Sequence, residues 1–141
     1  MSYKNNMKIQ FLNKSANEGF ARVATAAFVS QLDVTVEQLA DIKTAVSEAV
    51  TNSIVHGYEG TTGYITLECE IDDGAVTITV TDSGHGISDI KLARQPLYTS
   101  RPELERSGMG FTVMETFMDS VEVTSSLGIG TTVKMTKKLQ G

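Results

Sequence analysis

The chain has 141 residues and a mass of 15.2 kDa, the size of a single domain, and a domain of this size buries roughly 68–70% of the surface its unfolded chain exposes. Apolar residues make up 40% and charged residues 21%, which excludes a disordered or fibrous chain. The net charge of −5 lacks the basic footprint of a protein that grips phosphate backbones or anionic lipid, so neither nucleic acid nor membrane is expected as a direct partner. The lone Cys69 cannot form an intrachain disulfide, and Met1-Ser-Tyr-Lys-Asn-Asn-Met7 lacks the apolar stretch of a signal peptide. No apolar run approaches the ~18 residues of a membrane span. A reduced, cytoplasmic protein is expected, with residues 1–141 as one domain.

Met7-Lys-Ile9-Gln-Phe11 alternates apolar and polar, the period of a half-buried strand. Ser15 with Glu18 has the spacing of a capping box, and Phe20, Val23, Ala24, Ala27 and Phe28 then recur at helical spacing, predicting a helix over about 16–31. Thr35 with Gln38 repeats the capping pattern. Leu39, Ile42, Val46, Ala49, Val50 and Ser53 follow on one side of a second helix that should end near His56-Gly57. From Tyr64 the period becomes two. Ile65, Leu67, Cys69 and Ile71 share a face, Asp72-Asp73-Gly74 signals a turn, and Val76, Ile78 and Val80 resume the alternation. Cys69 falls on the apolar face and reads as a small buried hydrophobe. Between Asp82-Ser-Gly84-His-Gly86 and Gly108 the periodicity is weak and both prolines, Pro96 and Pro102, occur; a stretch this long inside a domain is usually functional. Phe111, Met114, Phe117 and Met118 predict a short helix, and Val121–Val123 with Thr131–Met135 a last hairpin. The order β-α-α-β-β-lid-α-β-β predicts an α+β two-layer sandwich, its mixed, mostly antiparallel sheet covered on one face by helices.

Chemistry-bearing residues fall at the ends of these elements. Glu48, Asn52 and His56 are spaced four apart; each step turns a helix by only about 40°, giving one polar stripe, with small Ala45 and Ala49 between it and the apolar face. Asp82 continues the inward parity of Val76, Ile78 and Val80, so its carboxylate emerges on the apolar face. There it either caps the Ser83-Gly84 turn or takes a polar partner. Gly108-Met-Gly110 opens the short helix behind Arg106, and unpaired N–H groups at a helix start suit phosphate. Thr131 shares a face with Val133 and Met135. Neither a P-loop nor a Rossmann glycine pattern occurs.

Taken in order, Glu-x-x-x-Asn on a helix, Asp-x-Gly-x-Gly after a strand, Gly-x-Gly before a helix and Gly-Thr in a closing hairpin resemble the Bergerat (GHKL) ATP-binding fold. That fold is shared by gyrase-type topoisomerases, histidine kinases and MutL-type repair proteins. Phe20-Ala-Arg22-Val23, Glu48-Ala-Val-Thr-Asn52-Ser-Ile-Val-His56-Gly-Tyr58-Glu59, Ala93-Arg-Gln-Pro-Leu97 and Arg101-Pro-Glu-Leu-Glu-Arg-Ser-Gly-Met-Gly-Phe111 narrow the resemblance to the sporulation anti-sigma F factor family, over nearly the whole chain.

The resemblance implies an ATP-dependent serine protein kinase that sequesters a sigma factor as a homodimer and phosphorylates an anti-anti-sigma protein. It implies Glu48 as general base and Asn52 as the Mg²⁺ ligand, an amide oxygen being a suitable hard donor. Asp82 would accept from the adenine amino group, with Thr131 as a second adenine-side contact. Gly84, Gly86, Gly108 and Gly110 would line ATP or ADP, Arg106 would contact phosphate, and Arg22 would contact a protein partner. Residues 88–107 would form a lid. The turn between Glu59 and Tyr64 is about one residue short of the family pattern, Arg101 replaces a family lysine, and His85 reads as an exposed loop residue. A general-stress-type anti-sigma kinase and an ATP-binding sequestering module without phosphotransfer are the alternatives. A topoisomerase ATPase module is not expected, since 141 residues leave little chain for the transducer domain it needs.

Overall fold

The computed structural model describes residues 3–58, 61–86, 94 and 110–139. In chain order the elements are β1 (Lys4–Leu12), α1 (Ala16–Val29), α2 (Val36–Asn52), a π-helical turn (Ser53–Gly57), β2 (Tyr64–Asp72), β3 (Ala75–Asp82), α3 (Gly110–Phe117), β4 (Ser120–Ser126) and β5 (Gly130–Lys138). The strands lie in the order β1-β2-β3-β5-β4, and each neighbouring pair is antiparallel. The sheet is therefore wholly antiparallel among the described residues, rather than mixed. α3 leads into β4 at the edge of the sheet, and β5 returns antiparallel between β4 and β3.

Period-two patterning decides which face is covered. Ile65, Leu67, Cys69 and Ile71 of β2, Val76, Ile78 and Val80 of β3, and Val133 and Met135 of β5 are buried. They pack in one cluster with Ile42, Val46, Ala49 and Val50 of α2 and Met114 of α3. Truncating a side chain such as Leu67 or Ile78 to Ala costs about 2–5 kcal/mol. Burial also pushes the Cys69 thiol up to about 11, as expected of an inert core cysteine. The other face is polar, with the pairs Lys8 opposite Glu68 and Glu122 opposite Lys134; such cross-strand charge pairs add a few tenths to about 1 kcal/mol each. Asp73 (φ 51°) and Gly74 (φ 87°) close the β2–β3 hairpin, both in the left-handed region that a type I′ turn requires.

The capping box at α2 is formed: Thr35 Oγ1 accepts from the Gln38 N–H (3.0 Å) and Gln38 Oε1 from the Thr35 N–H (3.1 Å). The one expected at Ser15 is not. Ser15 itself has helical backbone angles and its side chain makes no cap bond, because Glu18 accepts instead from the Ser47 hydroxyl of α2 and pairs with Arg22 at 3.6 Å. The helical phase of α1 also differs from expectation. Ala21, Thr25, Phe28 and Val29 are its buried residues, whereas Phe20 and Val23 are 54% and 63% exposed. Packing against α2 and the sheet favours the smaller side chains at the interface, and Phe20 stands edge-on to Phe11 instead, ring centroids 6.3 Å apart. α1 ends at Val29, just short of the expected end. Lys137 of β5 donates to the Phe117 carbonyl (2.7 Å), satisfying an open carbonyl at the end of α3.

Candidate active site

Two groups of polar residues flank the covered face, and α2 with its π-helical turn runs between them. Ala45 and Ala49 are fully buried, which lets α2 lie close to its neighbours and leaves Glu48 and Asn52 half-buried on its flank. α3 packs against this helix. A Cβ on Gly110, its first residue, would lie 3.1 Å from Asn52 Oδ1 and 3.4 Å from Glu48 Oε2. The start of α3, where N–H groups are unpaired and the helix dipole is positive, thus abuts a carboxylate and an amide. Asn52 Nδ2 is buried and has no hydrogen-bond partner among the described residues. An unsatisfied buried amide is costly, and here it marks a place shaped for a polar ligand.

The second group centres on Asp82, 5% exposed at the end of β3 and opposite Thr131 in the β3–β5 register. Ser53 Oγ donates to its Oδ2 (2.9 Å) and the Gly84 N–H to its Oδ1 (3.0 Å), and the Thr131 backbone faces it across the β3–β5 pair. Burial pushes this carboxyl above the usual range, against the pull of those donors and of His85. It therefore serves both readings left open by the sequence: it caps its own turn and is a buried acceptor. The Thr131 hydroxyl shares a 2.9 Å hydrogen bond with that of Ser125.

The loop after Asp82 is locked by close backbone packing. Gly57 O accepts from the His85 N–H (2.9 Å) and His85 O from the Gly128 N–H (2.8 Å). A Cβ on Gly84 would sit 1.8 Å from Gly57 O, and one on Gly130, whose φ is +139°, 2.0 Å from Asp82 O. Only glycine fits at either place. Gly86 packs against the carbonyl of Ser126. Tyr58 adds a staple, its hydroxyl donating to Tyr64 O (2.5 Å) and accepting from the Ser83 N–H (2.8 Å).

The structure thus gathers Glu48, Asn52 and Gly110 in one group, and Asp82, Gly84 and Thr131 in the other. His56 lies in the π-helical turn rather than on the continued α-helical stripe, and His85 is exposed as expected. Arg22 is exposed on α1 and paired with Glu18, which accepts from Ser47 of α2. Arg106, Gly108 and Arg101 lie outside the described residues, as does the expected lid apart from Arg94, whose guanidinium binds Glu115 of α3 (2.6 Å) and Val121 O (3.1 Å). Sequence reasoning missed the parts played by Ser53, Gly57, Tyr58 and Gly130. Ser53 read as one more residue of the apolar stripe, and nothing in helical periodicity announces a π-helical turn.

Residues 12–137 match the Histidine kinase-like ATPase domain family. An anti-sigma F factor of Clostridium botulinum (strain Eklund 17B / Type B) is 62% identical over 137 residues, covering 96% of each chain. One from Thermoanaerobacter sp. (strain X514) is 60% identical over 137 residues, covering 97% of this chain and 96% of the relative. Among solved structures, that of the RsbU and RsbW domains of Rv1364c from Mycobacterium tuberculosis superimposes with a TM-score of 0.70 at 20% identity, over 96% of this chain and 32% of that one. The histidine kinase domain of the Erythrobacter litoralis EL346 blue-light activated histidine kinase gives 0.58 at 21% identity, over 88% and 60%. The fold is that of these ATPase domains, and the chain belongs to the anti-sigma F factor family of histidine kinase-like ATPase domains.

Proposed function

We propose that the protein is an ATP-dependent serine protein kinase that also sequesters the sporulation sigma factor sigma F, and that its substrate is the anti-anti-sigma antagonist of that factor. The observation that carries this reading is the contact of Glu48 and Asn52 with the start of α3, together with the buried Asp82 beside Thr131. A polyanion suits the first group and a planar base bearing an amino group suits the second.

In this reading Asp82 accepts from the adenine amino group of ATP, and Thr131 lies beside the ring. Gly84, Gly86, Gly108 and Gly110 line the nucleotide, and Arg106 binds phosphate. Asn52 would hold Mg²⁺ through its amide oxygen Oδ1, a hard donor that borders the space a Cβ on Gly110 would fill, the cation taking its remaining ligands from phosphate and water; its buried, unpartnered Nδ2 is a donor suited to a phosphate oxygen. When bound, Mg²⁺ neutralises charge on the phosphoryl oxygens. Glu48, one turn from Asn52, takes the proton of the attacking serine hydroxyl as its oxygen bonds to the γ-phosphorus and ADP departs. Residues 88–107 close over ATP and exclude water.

Sequestration is assigned to a homodimer in the cytoplasm that engages the sigma factor in its ATP-bound state and is left with ADP once the antagonist has been phosphorylated. Arg22 is the proposed protein contact, and the exposed Phe20 and Val23 on either side of it supply the apolar area that a charged anchor alone lacks. The test is incubation with radiolabelled ATP, Mg²⁺ and the candidate anti-anti-sigma protein beside an Asn52→Ala control. Label on a partner serine that disappears in the control is the expected result. No transfer to a folded partner, despite ATP binding, overturns the kinase assignment.

A further inference from the structure

We infer that Ser53 is a positioning residue that sets base specificity, its hydroxyl holding the Asp82 carboxylate in the orientation that accepts from an amino group at purine C6. The inference rests on the reading of Asp82 as the base contact given above. Ser53 is the first residue of the π-helical turn and is 5% exposed. Its side chain donates to Asp82 Oδ2 at 2.9 Å, while the Gly84 N–H donates to Oδ1 at 3.0 Å. Two donors from different segments, one on each oxygen, thus fix one carboxylate.

The Gly84 N–H is a backbone group fixed by the loop, so Ser53 is the side chain of the pair. A carboxylate offers about four acceptor positions; two are taken by these donors, and the remaining capacity is acceptor-only. Such a group welcomes an N–H and repels a carbonyl oxygen, which is how a buried polar site rejects a near-isostere. Without the Ser53 hydroxyl, Oδ2 of Asp82 loses the side-chain donor it has among the described residues. The carboxyl gains freedom to turn, and in a buried site the neutral form, which can donate to a carbonyl, becomes easier to reach. Ser53→Ala therefore erodes the distinction between a 6-amino and a 6-oxo purine.

The same turn explains why this position can reach Asp82. Ser53 and Gly57 begin and end it, and a Cβ on Gly57 would lie 2.9 Å from the Asp82 carboxyl. The turn thus brings both residues onto the carboxylate, and Gly57 leaves the space that Asp82 fills.

Dissociation constants for ATP and for inosine triphosphate, which carries oxygen at C6, are measured for the wild type, Ser53→Ala and Ser53→Thr, with thermal unfolding as the check on folding. The wild type is expected to prefer ATP. Ser53→Ala should reduce that preference by roughly tenfold, the order expected for a hydrogen bond to a charged group, and Ser53→Thr should restore it. An unchanged ATP-to-inosine ratio in a folded Ser53→Ala protein, even with both affinities lowered equally, overturns the role of Ser53. A wild type that binds both nucleotides equally overturns the reading of Asp82 itself, and the two failures are told apart by which protein shows them.

Discussion

Gly110 and Asn52 are in contact: a Cβ on the glycine would lie 3.1 Å from Oδ1 and 3.3 Å from Nδ2 of the amide. The first turn of α3 and the polar flank of α2 therefore share one small space. Gly110→Ala puts a methyl group into it while favouring the helix by up to about 1 kcal/mol. The expected outcome is a thermal midpoint at or slightly above that of the wild type, with ATP affinity lowered tenfold or more. Calorimetric titration and a melting curve together check it.

Asp82 is held above its ordinary carboxyl value of 3.8 by burial. Between that value and its raised value, the folded protein retains a proton that the unfolded chain has released, so the nucleotide-free fold loses stability as pH rises through this window. Asp82→Asn removes that loss. Its thermal midpoint should fall less than that of the wild type on going up from about pH 4. ATP should no longer raise it, because an amide NH₂ faces the amino group of the base.

Tyr58 is wedged beside Gly63, where a Cβ would lie 2.2 Å from its ring, and its hydroxyl bridges β2 to the loop after Asp82. Tyr58→Phe keeps the ring and leaves the Ser83 N–H and the Tyr64 carbonyl without this partner. Urea unfolding should show a loss of about 1–3 kcal/mol, accompanied by weaker ATP binding, since Ser83 adjoins Asp82. A stability loss with unchanged affinity would show that the staple serves the fold alone.

The covered face was legible because alternation in β2, β3 and β5 is regular and one-sided, and Asp82 stood out by continuing it. The capping box at Thr35 and the turn at Asp73-Gly74 were legible because their local chemistry agrees with their tertiary setting. Ser15 and the phase of α1 were not, since Glu18 had a better use across to Ser47 and packing selected Ala21 and Thr25 over Phe20 and Val23. These are tertiary overrides of local preference. Ser53, Gly57 and Gly130 were hidden for another reason: their importance lies in approaches between segments distant in sequence, which no periodicity encodes. The proposed roles of Glu48, Asn52 and Thr131 come from the family resemblance, and the structure adds the contact between Gly110 and the Glu48–Asn52 flank.

Glu48→Gln provides the most direct test of the kinase assignment, because the amide keeps the size of the side chain and cannot take a proton. ATP binding and phosphate transfer to the anti-anti-sigma protein are measured on the same preparation. The expected result is an ATP affinity within about twofold of the wild type and a transfer rate lowered by about 10²–10⁴, the usual contribution of a general base. Transfer at close to the wild-type rate would contradict the assignment of Glu48 as the base.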